Sequence, residues 1–239
     1  FSYLDEIPTG PLPTDFMVDG WCSNYLSKAK TLSGQNINKT GWKVLSEQSV
    51  GPYLFISFSG ELLSYGAQCF FKQGNIAIFK SSVLVGVIYS NSKDDDRIGR
   101  LSINEAGIIE LSDSSWAPWV DIKILKDQVK IERRAGVQSF CNGSTIVPNV
   151  VGLSIVDARK SLIEFGWEPV IQIGEVSFSF VDQMRESGIV ETVDCIGTGR
   201  GFCSHEYQNP NGLLSLESSE QRISESYGQV VVYYGVSCN

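Results

Sequence analysis

The chain carries a single histidine, His205, in the run Ser204-His205-Glu206-Tyr207. A serine or cysteine nucleophile activated by an imidazole would have to use it. It follows Cys203 by two positions in a stretch that reads as a strand. That is the setting of an ordinary surface or half-buried strand histidine, so no catalytic residue is assigned. Gly197, Gly199 and Gly201 are spaced like part of a dinucleotide-binding loop. Such a loop needs a strand before it, a helix after it and an acidic residue about 20 positions on. Here Cys195 and Cys203 flank the glycines and strand-like sequence surrounds them, so they read as a bridged turn and no cofactor is expected. Asp94-Asp95-Asp96 lacks the alternating spacing that wraps Ca²⁺ and reads as a solvated loop tip. Paired carboxylates run glycoside hydrolysis, but 27 acidic residues single out no pair without a fold. Trp116-Ala117-Pro118-Trp119 sets two indoles beside a proline. Trp116 and Trp119 are therefore the candidate binding residues, as a platform for sugar or peptide; the plainer reading is an apolar cap on a sheet edge. Asn38-Lys39-Thr40 and Asn142-Gly143-Ser144 match the glycosylation sequon, which is silent in an ordinary bacterial protein.

Six cysteines remain: Cys22, Cys69, Cys141, Cys195, Cys203 and Cys238. No two are closer than the eight positions between Cys195 and Cys203, which is poor spacing for a zinc site, and no C-x-x-C redox motif occurs. An even count in an acidic chain with two methionines and one histidine reads as three disulfides made in an oxidising compartment. Six cysteines allow about 15 pairings. Cys195–Cys203 is favoured first, because three glycines between them permit a tight reversal. Closing so short a loop contributes about 2–3 kcal/mol. Cys22–Cys69 and Cys141–Cys238 follow as weaker expectations.

The elements that must position these residues are mostly strands. Residues 1–18 read as an extended arm. Trp21, Tyr25, Leu26 and Ala29 fall at helical spacing behind Asp19, predicting a helix over 21–31. From Trp42 to Glu132 the sequence alternates short β-rich runs with turn signals, including a hairpin of 67–71 and 76–79 around Gln73-Gly74-Asn75, and another turning at Lys126-Asp127-Gln128. Ser154 caps a helix over 155–165 that ends at Gly166, and a strand follows Trp167. A hairpin turning at Asn209–Gly212 and a last strand over 229–236 complete the chain. The expected fold is α+β and mostly antiparallel: a β-sandwich or curved sheet with one helix over 19–144, then a small helix-on-sheet domain over 145–239. Gly41-Trp42 and Gly166-Trp167 echo one another, as either a duplicated unit or a coincidence of common β signals. The boundary at about residue 145 divides the cysteines three and three, so either one disulfide crosses it or two thiols stay free.

The bulk numbers narrow the partners. Net charge is -8 and the pI about 4.8, and the densest basic spot is only Lys130–Arg134. Nucleic acid and anionic membrane surfaces are therefore not expected as partners. No apolar stretch is long enough for a transmembrane segment. The opening Phe1 fits removal of a leader, and with the cysteines it leads to the expectation of a periplasmic or secreted bacterial protein.

Val147-Pro148-Asn149-Val150-Val151-Gly152-Leu153-Ser154, with Ala158, Leu162, Gly166 and Trp167, resembles the start of a PASTA domain over residues 147–170. Such modules occur on bacterial penicillin-binding proteins and envelope kinases. The resemblance implies a local strand–helix–strand shape and a role in sensing peptidoglycan fragments or positioning a protein. The Cys195–Cys203 loop departs from that pattern, and residues 171–239 lack it. The whole second half looks like an uncharacterised family of exported Gram-negative proteins with a G-W-x-P step and a C-x7-C hairpin.

Together these readings lead to a non-catalytic binding module of the bacterial envelope, its partner peptidoglycan or an envelope protein. The alternatives are an inhibitor or immunity protein against an envelope-acting enzyme, whose acidic face would steer it to a cationic hydrolase, and a cell-wall glycan hydrolase using two carboxylates.

Overall fold

A computed structural model of the chain describes residues 2–10, 20–65, 68–90, 92, 97–104, 107–114, 118–126, 128–172, 179–197, 201–223 and 226–239. It is α+β, every paired strand is antiparallel, and it divides into two compact units, Phe1–Arg133 and Arg134–Asn239.

The first unit is built around a sheet that is buried on both faces. β1 (Ser2–Leu4), β7 (Val83–Tyr89), β6 (Asn75–Lys80), β3 (Tyr53–Ser59) and β2 (Lys43–Val50) lie side by side in that order. Successive strand residues point to opposite faces, and here both faces meet a core. Tyr53 and Phe55 of β3 and Ile76 and Ile78 of β6 pack on one side; Ile56, Phe58, Ala77 and Phe79 pack on the other. This is why Leu54-Phe55-Ile56 and Ile76–Phe79 carry apolar residues at consecutive positions. Each fully buried side chain of this size stabilises the fold by about 1.5–3 kcal/mol.

The first face is covered by a second sheet, β11 (Gln128–Arg133), β10 (Pro118–Leu125), β9 (Ile109–Ser112) and β8 (Leu101–Ile103), through Leu101, Ile109, Leu111, Val120 and Ile122. Polar groups join the layers: Leu101 N donates to Ser46 Oγ at 2.7 Å, and Gln48 Nε2 donates to Leu101 O at 3.0 Å. The opposite face is covered by Ala29, Trp42 and the helix α1 (Leu32–Lys39) through Ile37. A satellite core of Cys22, Leu45, Leu62, Cys69 and Phe71 sits under the hairpin of β4 (Glu61–Tyr65) and β5 (Gln68–Lys72), closed by Cys22–Cys69.

Two sequence expectations are corrected in this unit. The helix expected over 21–31 is a short 3₁₀ turn, Gly20–Tyr25, and the α-helix starts only after Thr31. Ser27 explains the difference: its N–H and Oγ–H are held by Val44 O and Leu45 O, so the chain there runs beside β2 instead of coiling. Thr31 caps α1 by accepting from Gly34 N at 3.1 Å. Glu47 of β2 braces the same end, accepting from Lys30 N at 2.7 Å and Thr31 Oγ1 at 2.6 Å. A Cβ on Gly34 would lie 2.1 Å from the Glu47 carboxylate, so only glycine lets it approach. The hairpin expected around Gln73-Gly74-Asn75 does not form either. β5 pairs with β4, whereas β6 pairs with β3 and β7, so this turn carries the chain from one sheet to another. The expected cap Asp19 and the loop tip Asp94-Asp95-Asp96 lie outside the described residues.

The second unit is a twisted antiparallel sheet with helices on it. β14 (Glu168–Pro169), β16 (Phe202–Asn209), β17 (Gly212–Ile223) and β18 (Ser226–Cys238) follow in order, and β15 (Thr192–Ile196) also pairs with β16. The core unites Ala158 and Leu162 of α2 (Ile155–Glu164), Val181 and Met184 of α3 (Ser179–Glu186), and Tyr207, Leu214, Leu216 and Val231 of the sheet. α2 has the expected ends. Ser154 Oγ accepts from Asp157 N at 3.1 Å and donates to Asp157 Oδ2 at 2.6 Å. At the C-terminus Gly166, with φ +83°, donates to Ile163 O and Trp167 N donates to Leu162 O, the paired bonds of a Schellman cap. α3 is an element that the sequence expectations do not include.

The glycine–tryptophan echo has a local basis. Gly41, with φ +96°, ends α1 as Gly166 ends α2. Each following tryptophan is buried and donates its indole N–H to a distant carbonyl, Trp42 to Pro8 at 2.8 Å and Trp167 to Ile146 at 2.9 Å. The likeness stops there, because the strands after Cys69 are not the hairpin that follows Cys203.

The unit boundary also differs from the expected 144/145. It falls after Arg133, because β12 (Val137–Phe140) pairs with β13 (Thr145–Pro148) and so belongs to the second unit. The cysteines therefore divide two and four. Cys22–Cys69 lies within the first unit, and Cys141–Cys238 and Cys195–Cys203 within the second. No thiol is free and no disulfide crosses the boundary, which replaces the expected choice between a bridging bond and unpaired thiols.

Candidate functional site

Trp119 lies at the margin of the first unit, partly buried against the sandwich core. Its indole N–H donates to Arg97 O at 2.8 Å, and the Arg97 guanidinium sits 5.7 Å from the ring centroid. Around it is a shallow groove of about 240 Å³, lined by Arg97, Trp119, Val120, Ile131, Glu132 and Arg133. Trp116 lies outside the described residues, so the structure says nothing of the indole pair.

The groove follows β11, which ends its sheet with no further strand beside it among the described residues. Register shows what that edge presents. Leu125 and Gln128 close a two-residue hairpin connection, and Lys126 has the positive φ (+46°) such turns require. Main-chain bonding then alternates: Leu125–Gln128, Lys123–Lys130 and Asp121–Glu132 bond to each other. Val129, Ile131 and Arg133 turn their N–H and C=O groups away from β10, toward solvent. Ile131 is 37% exposed.

The same register sets three carboxylates in a row across the sheet, Glu110, Asp121 and Glu132, which the sequence did not single out. Their environments differ. Glu110 accepts from Asn104 Nδ2 at 3.0 Å. Asp121 is 3% exposed, and its Oδ1 has no partner among the described residues. Glu132 is clamped by Lys123 and Lys130, each at 2.5 Å, and hydrogen bonds from these two hold its carboxyl down at about 2.

The second unit holds a buried polar row. Thr192, His205, Ser218 and Gln229 come from β15, β16, β17 and β18 in turn. Thr192 faces His205 directly, Ser218 is diagonal to His205, and Gln229 is diagonal to Ser218. The contacts run Thr192 Oγ1 to His205 Nδ1 at 3.2 Å, His205 Nε2 to Ser218 Oγ at 2.8 Å, and Ser218 Oγ to Gln229 Oε1 at 2.7 Å. The ends are fixed by main-chain carbonyls: Thr192 Oγ1 donates to Ile189 O at 2.9 Å and Gln229 Nε2 to Gly201 O at 2.9 Å. His205, expected as a surface or half-buried strand histidine, is instead fully buried, and Thr192, Ser218 and Gln229 do not stand out in the sequence. Its sign was parity: His205 lies between Cys203 and Tyr207, and Ser218 follows Leu214 and Leu216, on positions that all face inward.

Burial pushes the His205 imidazole down to about 4 from its ordinary 6.5. The unfolded chain therefore binds the proton more readily than the folded one. Stability is fully present above pH 6.5 and falls as pH drops toward 4, by about 2 kcal/mol at about pH 5. Denaturation midpoints measured from neutral pH to about pH 5 should show this slope, and His205→Gln should flatten it; an unchanged slope in that variant contradicts the assignment.

A second buried group ties α2 to the sheet. Glu191 is fully buried, and its Oε1 accepts from Tyr207 Oη at 2.5 Å and lies 3.1 Å from Arg159 Nε. Burial, then the hydrogen bond to Glu191, pushes the Tyr207 phenol up, so it remains a donor.

Among the described residues no group of three or more His, Cys, Asp or Glu is placed to hold a metal ion, and no helix is long and apolar enough to cross a membrane. No family model matches the chain, and neither the curated proteins nor the solved structures provide a match to it.

Proposed function

We propose that the chain is an exported interaction protein of the bacterial envelope that works without turnover, and that it docks an extended segment of a partner protein along β11. The observation that carries this reading is the open edge of β11 beside the Trp119 groove. An extended peptide pairing there would bond its main chain to Val129, Ile131 and Arg133 while its side chains enter the groove. Arg97 and Arg133, which line the groove, suit an acidic segment. A glycan platform is less well supported, because the Arg97 cation already covers Trp119. The hydrolase reading has less still: two lysines hold Glu132 ionised, and Glu110 and Asp121 are too buried to admit a sugar. Three disulfides suit an oxidising compartment.

The test is co-sedimentation with purified sacculi alongside capture from periplasmic extract. Protein is expected in the capture and none of the chain on the sacculi. Trp119→Ala should weaken capture about tenfold or more, the scale of an aromatic hot spot. Equal capture by the variant, or solubilised sacculi, overturns the reading.

A further inference from the structure

An open strand edge pairs with another strand unless something blunts it. Among the described residues β11 has a neighbour on one side only, and Val129, Ile131 and Arg133 present their main-chain groups on the other. The strand reads Gln128-Val129-Lys130-Ile131-Glu132-Arg133, so a cation and an anion stand symmetrically about Ile131. That symmetry matters for one partner in particular, a second β11 running antiparallel about a two-fold axis.

With the axis at Ile131, Ile131 faces Ile131, Val129 faces Arg133 and Lys130 faces Glu132. The outward main-chain groups of 129, 131 and 133 then meet as hydrogen-bonded pairs. Lys130 and Glu132 fall on the non-hydrogen-bonded pairs, where Cα atoms approach to about 4.5 Å and side chains lie closest. Moving the axis by one residue sets Lys130 against Lys130 or Glu132 against Glu132, which repels. One register is therefore favoured over its neighbours by charge.

Both faces of the sheet agree with it. On the inner face Ile122 lies opposite Ile131, so the joined sheets carry an apolar row from Ile122 and Ile131 into their counterparts, covering the exposed side of Ile131. On the outer face Glu110, Asp121 and Glu132 form a row of carboxylates that runs out at the edge. Asp121 Oδ1 in that row is buried without a partner among the described residues. Lys123 lies opposite Lys130. Pairing at Ile131 thus continues the acidic row with Lys130 and Lys123 of the second copy, and the two-fold axis does the same in return.

We propose that two copies of this chain join β11 to β11, antiparallel about an axis at Ile131, and that this self-pairing closes the edge when no partner segment lies on it. The proposal rests on the docking edge described above and adds what occupies that edge in the free protein. An interface of one short strand is small, so the pair is reversible. A partner segment and a second copy use the same main-chain groups and exclude one another.

Sedimentation of the purified full chain from about 1 μM to about 1 mM tests this. The average mass of the wild type should rise toward about twofold. Lys130→Glu and Glu132→Lys, each alone, should stay monomeric where the wild type pairs. An equimolar mixture of the two should pair again, because the reversed charges then face each other across the axis. Amide exchange at Ile131 should slow as wild-type concentration rises, which gives the answer even if a variant fails to fold. A wild type that stays monomeric through about 1 mM, a single variant that pairs as the wild type does, or a mixture that stays monomeric overturns the proposal. The chain is alone in this experiment, so the two readings fail separately. Capture of partner by a strictly monomeric wild type sinks the self-pairing only, and self-pairing without capture sinks the docking of a partner only.

Discussion

Replacing Cys141 and Cys238 together with serine should lower the stability of the second unit by about 5 kcal/mol, and replacing Cys195 and Cys203 by clearly less, about 2–3 kcal/mol. The difference follows from loop length. The first bond closes 97 residues and the second only eight, so the first removes more freedom from the unfolded chain. Cys141 adds a local reason. It, Asn142 and Gly143 all hold positive φ, at +55°, +55° and +91°, in a turn pinned to the end of β18. Without the bond that turn has little to hold two non-glycine residues in the left-handed region. Denaturant midpoints for the two double variants, read at fixed pH, check the order. Equal losses would show that loop closure is not what these bonds contribute.

Arg159→Met should cost about 3–5 kcal/mol, although Arg159 is itself partly exposed. The cost lies with the residue left behind. Glu191 is fully buried, and without the guanidinium its carboxylate retains only the Tyr207 hydroxyl among the described partners. Glu191→Gln should cost less, since a neutral amide can still accept from Tyr207. The double variant should be more stable than Arg159→Met alone, because it removes the stranded charge. A double variant as unstable as the sum of the singles would mean that Arg159 acts through packing rather than charge.

Much of the fold is legible in the sequence where a local signal has one structural meaning. Ser154, Asp157 and Gly166 mark α2 because capping geometry is set within a few residues. Leu54–Phe58 and Ile76–Phe79 announce strands buried on both faces. Elsewhere one signal serves two structures. Gln73-Gly74-Asn75 reads as a hairpin, but a turn crossing between sheets uses the same residues, and only the pairing of β5 with β4 and of β6 with β3 and β7 tells them apart. Trp21, Tyr25 and Ala29 repeat at helical spacing, yet long-range bonds from Ser27 to β2 hold that segment out of a helix. The candidate sites are less legible still. Trp119 stands out by type, whereas the open edge of β11 exists only once the strand order is known. The row from Thr192 to Gln229 spans four strands and depends on register and on a bulge, which no single stretch of sequence encodes.

The claim that β11 is a docking edge has one direct measurement. Ile131 turns its N–H away from β10, so Ile131→Pro removes a hydrogen-bond donor from the open edge without breaking the β10–β11 ladder. Capture of partner protein by the wild type, Ile131→Val and Ile131→Pro should be compared at matched thermal stability. The valine variant is expected to behave as the wild type and the proline variant to lose capture. Undiminished capture by the proline variant would contradict it.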